Sequence, residues 1–286
     1  MIDPEVLITA ILLSAASAIA GVYLVLGKQS MYGDALSHSI LPGIVVMYVI
    51  SGERSFSGSL VGAVITGVVV SLLIERLQQI RGIPQDAAIG TIFVVFFALG
   101  VVLISGPAAG VDLDQDCVLF GEIAFVPFER VHLGAYDLGA KGIWISGFLL
   151  VISSLFQFLF GRIMTLTTFQ SEFAHSVGIN PRMMKIVYSI FVSVVVVLAF
   201  ELVGVILVIS LLVTPAATAW LYSKRLGVLI TTSVLIAVAT TLTGVLSADL
   251  ADVSISGSIA TVQGIVFLGS ASVYAHRYSR RVKKIH

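Results

Sequence analysis

The sequence predicts an all-α membrane protein: a polytopic helical bundle of about eight or nine crossings, with its N-terminus outside and its C-terminus cytoplasmic. Three observations carry this reading. Of 286 residues, 58% are hydrophobic and 11% charged, against roughly 25% charged in a soluble domain, and the mean hydropathy is +1.07. Apolar runs of about 20 residues, the length that crosses a bilayer, recur from one end to the other. The charges lie between these runs and alternate in sign. Their formal sum is zero, which leaves nothing to attract nucleic acid. The one cysteine, Cys117, excludes an internal disulfide and a thiolate-rich metal site.

In chain order, the apolar runs are 6–26, 57–74, 87–104, 142–161, 186–200, 202–223, 226–246 and 255–275. The opening Met-Ile-Asp-Pro-Glu is acidic and no small-residue cleavage site follows, so 6–26 is expected to be a retained span and not a signal peptide. A further run, 35–52, is interrupted by Pro42-Gly43, which should kink its helix; at membrane depth such a break is tolerated where the loosened backbone is packed in protein or lines a cavity. Lys28, Arg76 with Arg81, Arg162, Arg182 with Lys185, Lys224 with Arg225, and the basic tail from Arg277 to Lys284 belong inside. The acidic connections fall outside: the N-terminus, Asp112, Asp114 and Asp116 with Glu122 and Glu129, and Asp249 with Asp252. At Glu201 two apolar runs meet almost without a loop, so either the chain turns there or one run is a half-helix. The whole chain, 1–286, reads as one transmembrane domain without repeat or separable soluble part, with 106–141 as an outer loop segment and 162–182 as a cytoplasmic one.

The outer segment has a calcium-loop look in its Asp112/Asp114/Asp116 alternation, but the glycine and closing glutamate of an EF-hand are missing. A structural or docking role is expected there, and 117–131 could lie on the surface as a short amphipathic or re-entrant piece. The cytoplasmic segment places Phe169, Phe173, Ala174 and Val177 at helical spacing, with Ser171 before Glu172 as a start, Gly178 as a stop and Pro181 beyond it. A short helix bearing two phenylalanines on the cytoplasmic side suggests a docking knob for a soluble partner. Packing on its own bundle is the plainer alternative.

The functional candidate is Gly33-Asp34-Ala-Leu-Ser-His38-Ser-Ile-Leu-Pro-Gly43. Asp34 and His38 are four residues apart, so on a helix they share one face with Cβ atoms about 6 Å apart, near enough to hold one cation. An ionisable pair in an apolar span is costly and points to function. A capping role for Asp34 with a packing role for His38 would explain the acid but not an imidazole one turn deeper.

Taken with Phe169-Gln-Ser-Glu-Phe-Ala-His-Ser-Val-Gly178 and Val203-Gly-Val-Ile-Leu-Val-Ile-Ser-Leu-Leu-Val-Thr-Pro-Ala-Ala-Thr-Ala219, this stretch resembles the permease family of bacterial manganese, zinc and iron ABC importers, over nearly the whole chain. The resemblance implies a multi-pass protein of the bacterial inner membrane, paired with a second permease copy or a paralogue. It also implies cytoplasmic ABC ATPases and an extracellular metal-binding lipoprotein that delivers the cargo. Asp34 and His38 match the family's metal-coordinating positions. Phe169, Glu172, Phe173, Ala174 and Gly178 fall in its coupling helix, which seats in the ATPase. The outer loop looks most like the manganese-type subgroup. Gln170-Ser171 departs from the Asp-Pro common in relatives, which should alter the helix cap and not the docking face.

Chemistry points the same way. One carboxylate and one imidazole are too few for a transition metal, whereas two chains about a dyad offer two of each. Nitrogen and oxygen donors suit manganese, iron or zinc and disfavour copper(I); since zinc outranks manganese in affinity, discrimination must come from geometry or delivery. Coordination needs the neutral imidazole, so transit should weaken as pH falls through the range where histidine protonates. No permanently bound cofactor is expected. Nor is an enzyme: there is no phosphate-cradling Gly-x-x-x-x-Gly-Lys-Ser/Thr loop, so ATP hydrolysis belongs to a partner. An intramembrane metalloprotease would need a His-Glu-x-x-His motif, which is absent. A gradient-driven secondary metal transporter coupled through Glu201 is the alternative, and it leaves 169–178 unexplained. Otherwise Glu201 reads as an interfacial turn residue, His132, His175, His276 and His286 as solvated or packing residues, and Met31 and Met47 as core fillers.

Overall fold

The computed structural model describes residues 3–51, 56–105, 123–133 and 136–282. Its elements are α1 (Pro4–Leu26), α2 (Tyr32–Ser39), α3 (Leu41–Ser51), α4 (Phe56–Leu77), α5 (Gln85–Ser105), a 3-10 turn (Ile123–Phe128), β1 (Arg130–Leu133), β2 (Tyr136–Ala140), α6 (Lys141–Phe169), α7 (Ser171–Ser176), α8 (Pro181–Trp220), α9 (Leu226–Ala251) and α10 (Ile255–Val282). Among the described residues, eight helical stretches are long and apolar enough to cross a membrane, α2 with α3 counting as one and α8 as one. Their exteriors carry large apolar side chains such as Val94, Val95, Leu155 and Phe158, the pattern of helices whose surroundings are not water.

α8 resolves the ambiguity around Glu201 differently from the sequence reading. Its 40 residues would run about 60 Å if straight, twice the roughly 30 Å of a hydrocarbon core. The break falls at Gly204, whose φ of 75° and ψ of 173° lie outside the helical region and are cheap only for glycine. α8 is thus two helical limbs, 181–203 and 205–220, and the joint is three residues beyond the acid.

Segment 106–141 adds the one strand pair seen among the described residues. Residues 106–122, with Asp112, Asp114, Asp116, Cys117 and Glu122, lie outside the described residues. In the remainder, a Pro127-containing 3-10 turn buries Ile123 and Val126 and exposes Phe125 and Phe128, and β1 and β2, which the sequence reading does not anticipate, then pair antiparallel, with Leu133 opposite Tyr136 and a register irregularity between Arg130 and His132. Lys141 N–H donates to the Glu129 carbonyl at 2.8 Å, leading the hairpin into α6.

The chain divides into two compact units, 1–25 with 122–155 and 209–286, and 26–121 with 156–208. In the first, the Arg130 guanidinium bonds Asp137 and reaches Glu5 at 3.4 Å, tying the hairpin to the start of α1; the Asp137 hydrogen bond, then the two carboxylate charges, push the guanidinium pKa above its ordinary value. Within that unit Ser210 Oγ donates to Gln263 Oε1 at 2.6 Å, and the Ser247 and Ser258 hydroxyls meet at 2.7 Å between α9 and α10. In the second unit α2, α3, α4 and α5 pack together. Phe156 of α6 stacks on Phe191 of α8, with ring centroids 4.1 Å apart and planes 4° from parallel. Everything the sequence singled out for function, Asp34, His38, 169–178 and Glu201, belongs to this second unit.

Candidate functional site

Pro42 shapes the local backbone that carries the acid and the imidazole. It has no N–H to give to the carbonyl four residues back, that of His38, so the ladder is interrupted and α2 ends at Ser39. The N–H groups of Gly43 and Ile44 both turn to the Ile40 carbonyl, at 3.0 and 3.3 Å. The predicted break is therefore present, two residues earlier than the Pro-Gly pair and gentle, since Ile40 keeps right-handed helical angles. Ser37 and Ser39 donate to the carbonyls of Gly33 and Ala35, at 2.9 and 2.6 Å, so the helix satisfies these hydroxyls itself.

Asp34 is not the helix cap. Met31 occupies that position and makes no side-chain cap bond. Asp34 lies in the first turn, where the positive end of the helix dipole favours a carboxylate. Its Oδ1 stands 3.5 Å from His38 Nε2, with the two side chains 44% and 27% exposed on the surface of the chain. Two ligands each about 2.1 Å from one ion, subtending 90–109°, are about 3.0–3.4 Å apart, so the observed gap fits a shared cation. The far side of the imidazole is apolar: Phe93 and Phe97 of α5 lie 5.8 and 5.9 Å from its ring. Among the described residues no third His, Cys, Asp or Glu joins the pair. Glu201, exposed and three residues before Gly204, is therefore not part of a cluster with them.

Segment 162–182 contains the short helix α7, six residues after a break at Gln170 (φ −139°, ψ 61°). Gly178 stops it as its place in the sequence predicts: at φ 84° it lets its own N–H reach the His175 carbonyl and that of Ile179 reach the Ala174 carbonyl, at 3.1 and 2.9 Å, the paired bonds of a Schellman turn. Asn180 Oδ1 then accepts from the N–H groups of Arg182 and Met183, at 3.0 and 3.4 Å, capping α8 ahead of its first residue, Pro181. Ala174 is fully buried, whereas Phe169 and Phe173 are 61% and 56% exposed, and Glu172 and Val177 are exposed with them. The start differs from expectation. Ser171 is already helical and Gln170 caps without any side-chain bond, so Gln170→Asp should stabilise α7 by about 1 kcal/mol, seen as slower amide hydrogen exchange across 171–176.

Sequence reasoning missed Glu75. It reads as the acid that closes an apolar run, yet its side chain is only 4% exposed. Ser189 Oγ donates to its Oε1 at 3.0 Å and Lys185 Nζ stands 3.7 Å from its Oε2. The available signal was spacing: Gly67, Ser71, Glu75 and Gln78 mark one face of an otherwise apolar helix.

Eight helical stretches able to cross a membrane, one of them carrying a carboxylate–imidazole pair, make this a polytopic membrane protein. The chain belongs to the ABC 3 transport family, whose model matches residues 4–274. It is 37% identical over 267 residues to the zinc transport system membrane protein TroD of Treponema pallidum (strain Nichols), covering 92% of this chain and 71% of that one. To the manganese transport system membrane protein MntD of Bacillus subtilis (strain 168) it is 32% identical over 262 residues, 92% of this chain and 88% of that one. Among solved structures, PsaBC from Streptococcus pneumoniae in complex with Fab superposes with a TM-score of 0.74 at 27% identity, covering 93% of this chain and 89% of that one.

Proposed function

We propose that the chain is the membrane-spanning permease subunit of an ATP-driven importer that carries a divalent transition metal into the bacterial cytoplasm, manganese first, with zinc or iron as alternatives. The observation that carries this reading is the Asp34–His38 pair, 3.5 Å apart inside a span and part-exposed on the surface of the chain. A carboxylate part-exposed within an apolar span needs a partner, and two donors leave a transition metal under-coordinated. A second permease, identical or paralogous, placed against this surface supplies the other carboxylate and imidazole. Relatives named for zinc and manganese transport support the cargo class.

The alternation of charge orients the chain, with 106–141 outside, where a metal-binding lipoprotein delivers its cargo, and 162–182 inside. There α7 meets the ATPase: Phe169 and Phe173 enter its groove, Ala174 anchors the helix to its own bundle and Glu172 lies on the exposed side. The chain itself makes and breaks no covalent bond. It holds the metal, excludes other ions and changes which side can reach the site.

Inverted membrane vesicles do not suit the test, because the delivery protein works from outside. Proteoliposomes holding the chain, its ATPase and the delivery protein, with ATP inside, are expected to accumulate radioactive manganese only with hydrolysable ATP. Phe169→Ala with Phe173→Ala should lose both uptake and co-purification of the ATPase. Uptake that persists without ATP and follows an imposed proton gradient would overturn the reading in favour of a gradient-driven carrier working through Glu201.

A further inference from the structure

We propose that Glu75 is the positioning residue through which displacement of α7 reaches the helix that carries Asp34 and His38. The inference rests on the importer reading and concerns how its two halves are joined. α7 passes into α8 through residues 177–180, fixed by the paired backbone bonds at Gly178 and by the Asn180 cap. A push on α7 therefore moves the first limb of α8.

That limb grips α4 along a polar seam. Lys185, Ser189 and Ser193 of α8, at intervals of four, run antiparallel to Gln78, Glu75, Ser71 and Gly67 of α4. Lys185 Nζ donates to Gln78 Oε1 at 2.6 Å and pairs with Glu75. Ser189 Oγ donates to Glu75 Oε1, and Ser71 Oγ lies 3.4 Å from the Ser189 carbonyl. Ser193 closes on the bare Cα of Gly67. The seam has a third party. Tyr32, the first residue of α2, is 1% exposed and lies against the seam, its hydroxyl near Ser71 and Ser189 but hydrogen-bonded to neither. Asp34 follows two residues later, so the helix that carries the pair packs on α4 beside the carboxylate that α4 shares with α8.

Apolar helix contacts in a bilayer slide at little cost, because lipid replaces what is lost, whereas a hydrogen bond to a buried carboxylate has no water to replace it. The seam therefore carries displacement where apolar packing would shear. Stability alone does not account for it, since a buried ion pair is often matched or bettered by apolar residues of the same volume.

The test uses the complete complex in proteoliposomes, reading radioactive manganese uptake and phosphate release together, and manganese bound by the purified complex separately. For Glu75→Ala the manganese moved per ATP should fall about tenfold, within the range of ordinary coupling energies, with bound manganese and ATP turnover per folded complex little changed. Glu75→Gln, which keeps an oxygen for Ser189, should fall less. Should Glu75→Ala not insert, Ser189→Ala carries the same comparison. A structural role would lower uptake and hydrolysis together with the amount of folded protein, leaving the ratio unchanged, and that result overturns the proposal. A wild-type complex without ATP-driven uptake would overturn the importer reading and this inference with it.

Discussion

Alanine at His38 or at Asp34 is expected to lower manganese uptake by about 100-fold or more while the complex remains folded and able to hydrolyse ATP. Loss of an outer-sphere partner of a metal ligand already costs 10–100-fold, and under the proposed assignment each substitution here removes a ligand outright. In a symmetric pair of permeases it removes two of four. The geometry separates this from a structural effect. The His38 ring touches Phe93 and Phe97 on one side, so His38→Phe, which preserves apolar bulk without a donor nitrogen, should fold at least as well and transport as poorly as His38→Ala. For the acid, Asp34→Asn keeps size and one neutral oxygen and should retain weak, low-affinity uptake. Scintillation counting of loaded proteoliposomes, with ATPase activity measured on the same preparations, checks both. Full uptake in Asp34→Ala or His38→Phe would mean that metal passes elsewhere.

Valine at Gly62 or Gly43 should produce the largest loss of folded protein. α3 and α4 cross where these two glycines face each other. A Cβ on Gly43 would meet the Gly62 carbonyl oxygen and Thr66 Oγ1; one on Gly62 would meet the Gly43 carbonyl oxygen and Met47 Cγ. Backbone atoms cannot rotate aside, so the helices must separate. Overpacking costs about 1–3 kcal/mol in ordinary cores, and a backbone clash belongs at the upper end. Because Gly43 follows the break that ends α2, separation also shifts the helix carrying Asp34 and His38, so surviving protein should bind manganese weakly. Gly90→Val in α5, where an added Cβ meets nothing within 4 Å, is the control and should be tolerated. Monodisperse yield in detergent and the melting temperature measure the difference; equal behaviour at Gly62 and Gly90 would show that the crossing is looser than its geometry implies.

Hydropathy made the helical class and nearly every span legible, because a bilayer demands about 20 apolar residues per crossing and charges cannot hide inside them. The Asp34–His38 pair was legible for the same reason: in an apolar run an acid and an imidazole at i, i+4 stand out. So was the end of α7, since Gly178 takes a backbone shape that few other residues accept. Other features needed the folded chain. The break in α8 sits at Gly204 and not at the conspicuous Glu201, because a helix breaks where the backbone can leave the helical region, not where a charge happens to lie. The β1–β2 hairpin depends on pairing between segments whose local pattern does not announce a strand.

Sequence by itself determined a helical membrane protein with an acid–imidazole pair in one apolar run and a short helix bearing two phenylalanines between two others, since both follow from local spacing. Tertiary structure alone decided that Lys185 and Ser189 close on the buried Glu75 carboxylate, and that Gly43 and Gly62 meet. Residues 107 to 118 positions apart in the chain, or on helices related only by packing, leave no periodic trace of which partner each will find; that is settled by how helix faces fit, and the fit exists only when the chain is folded.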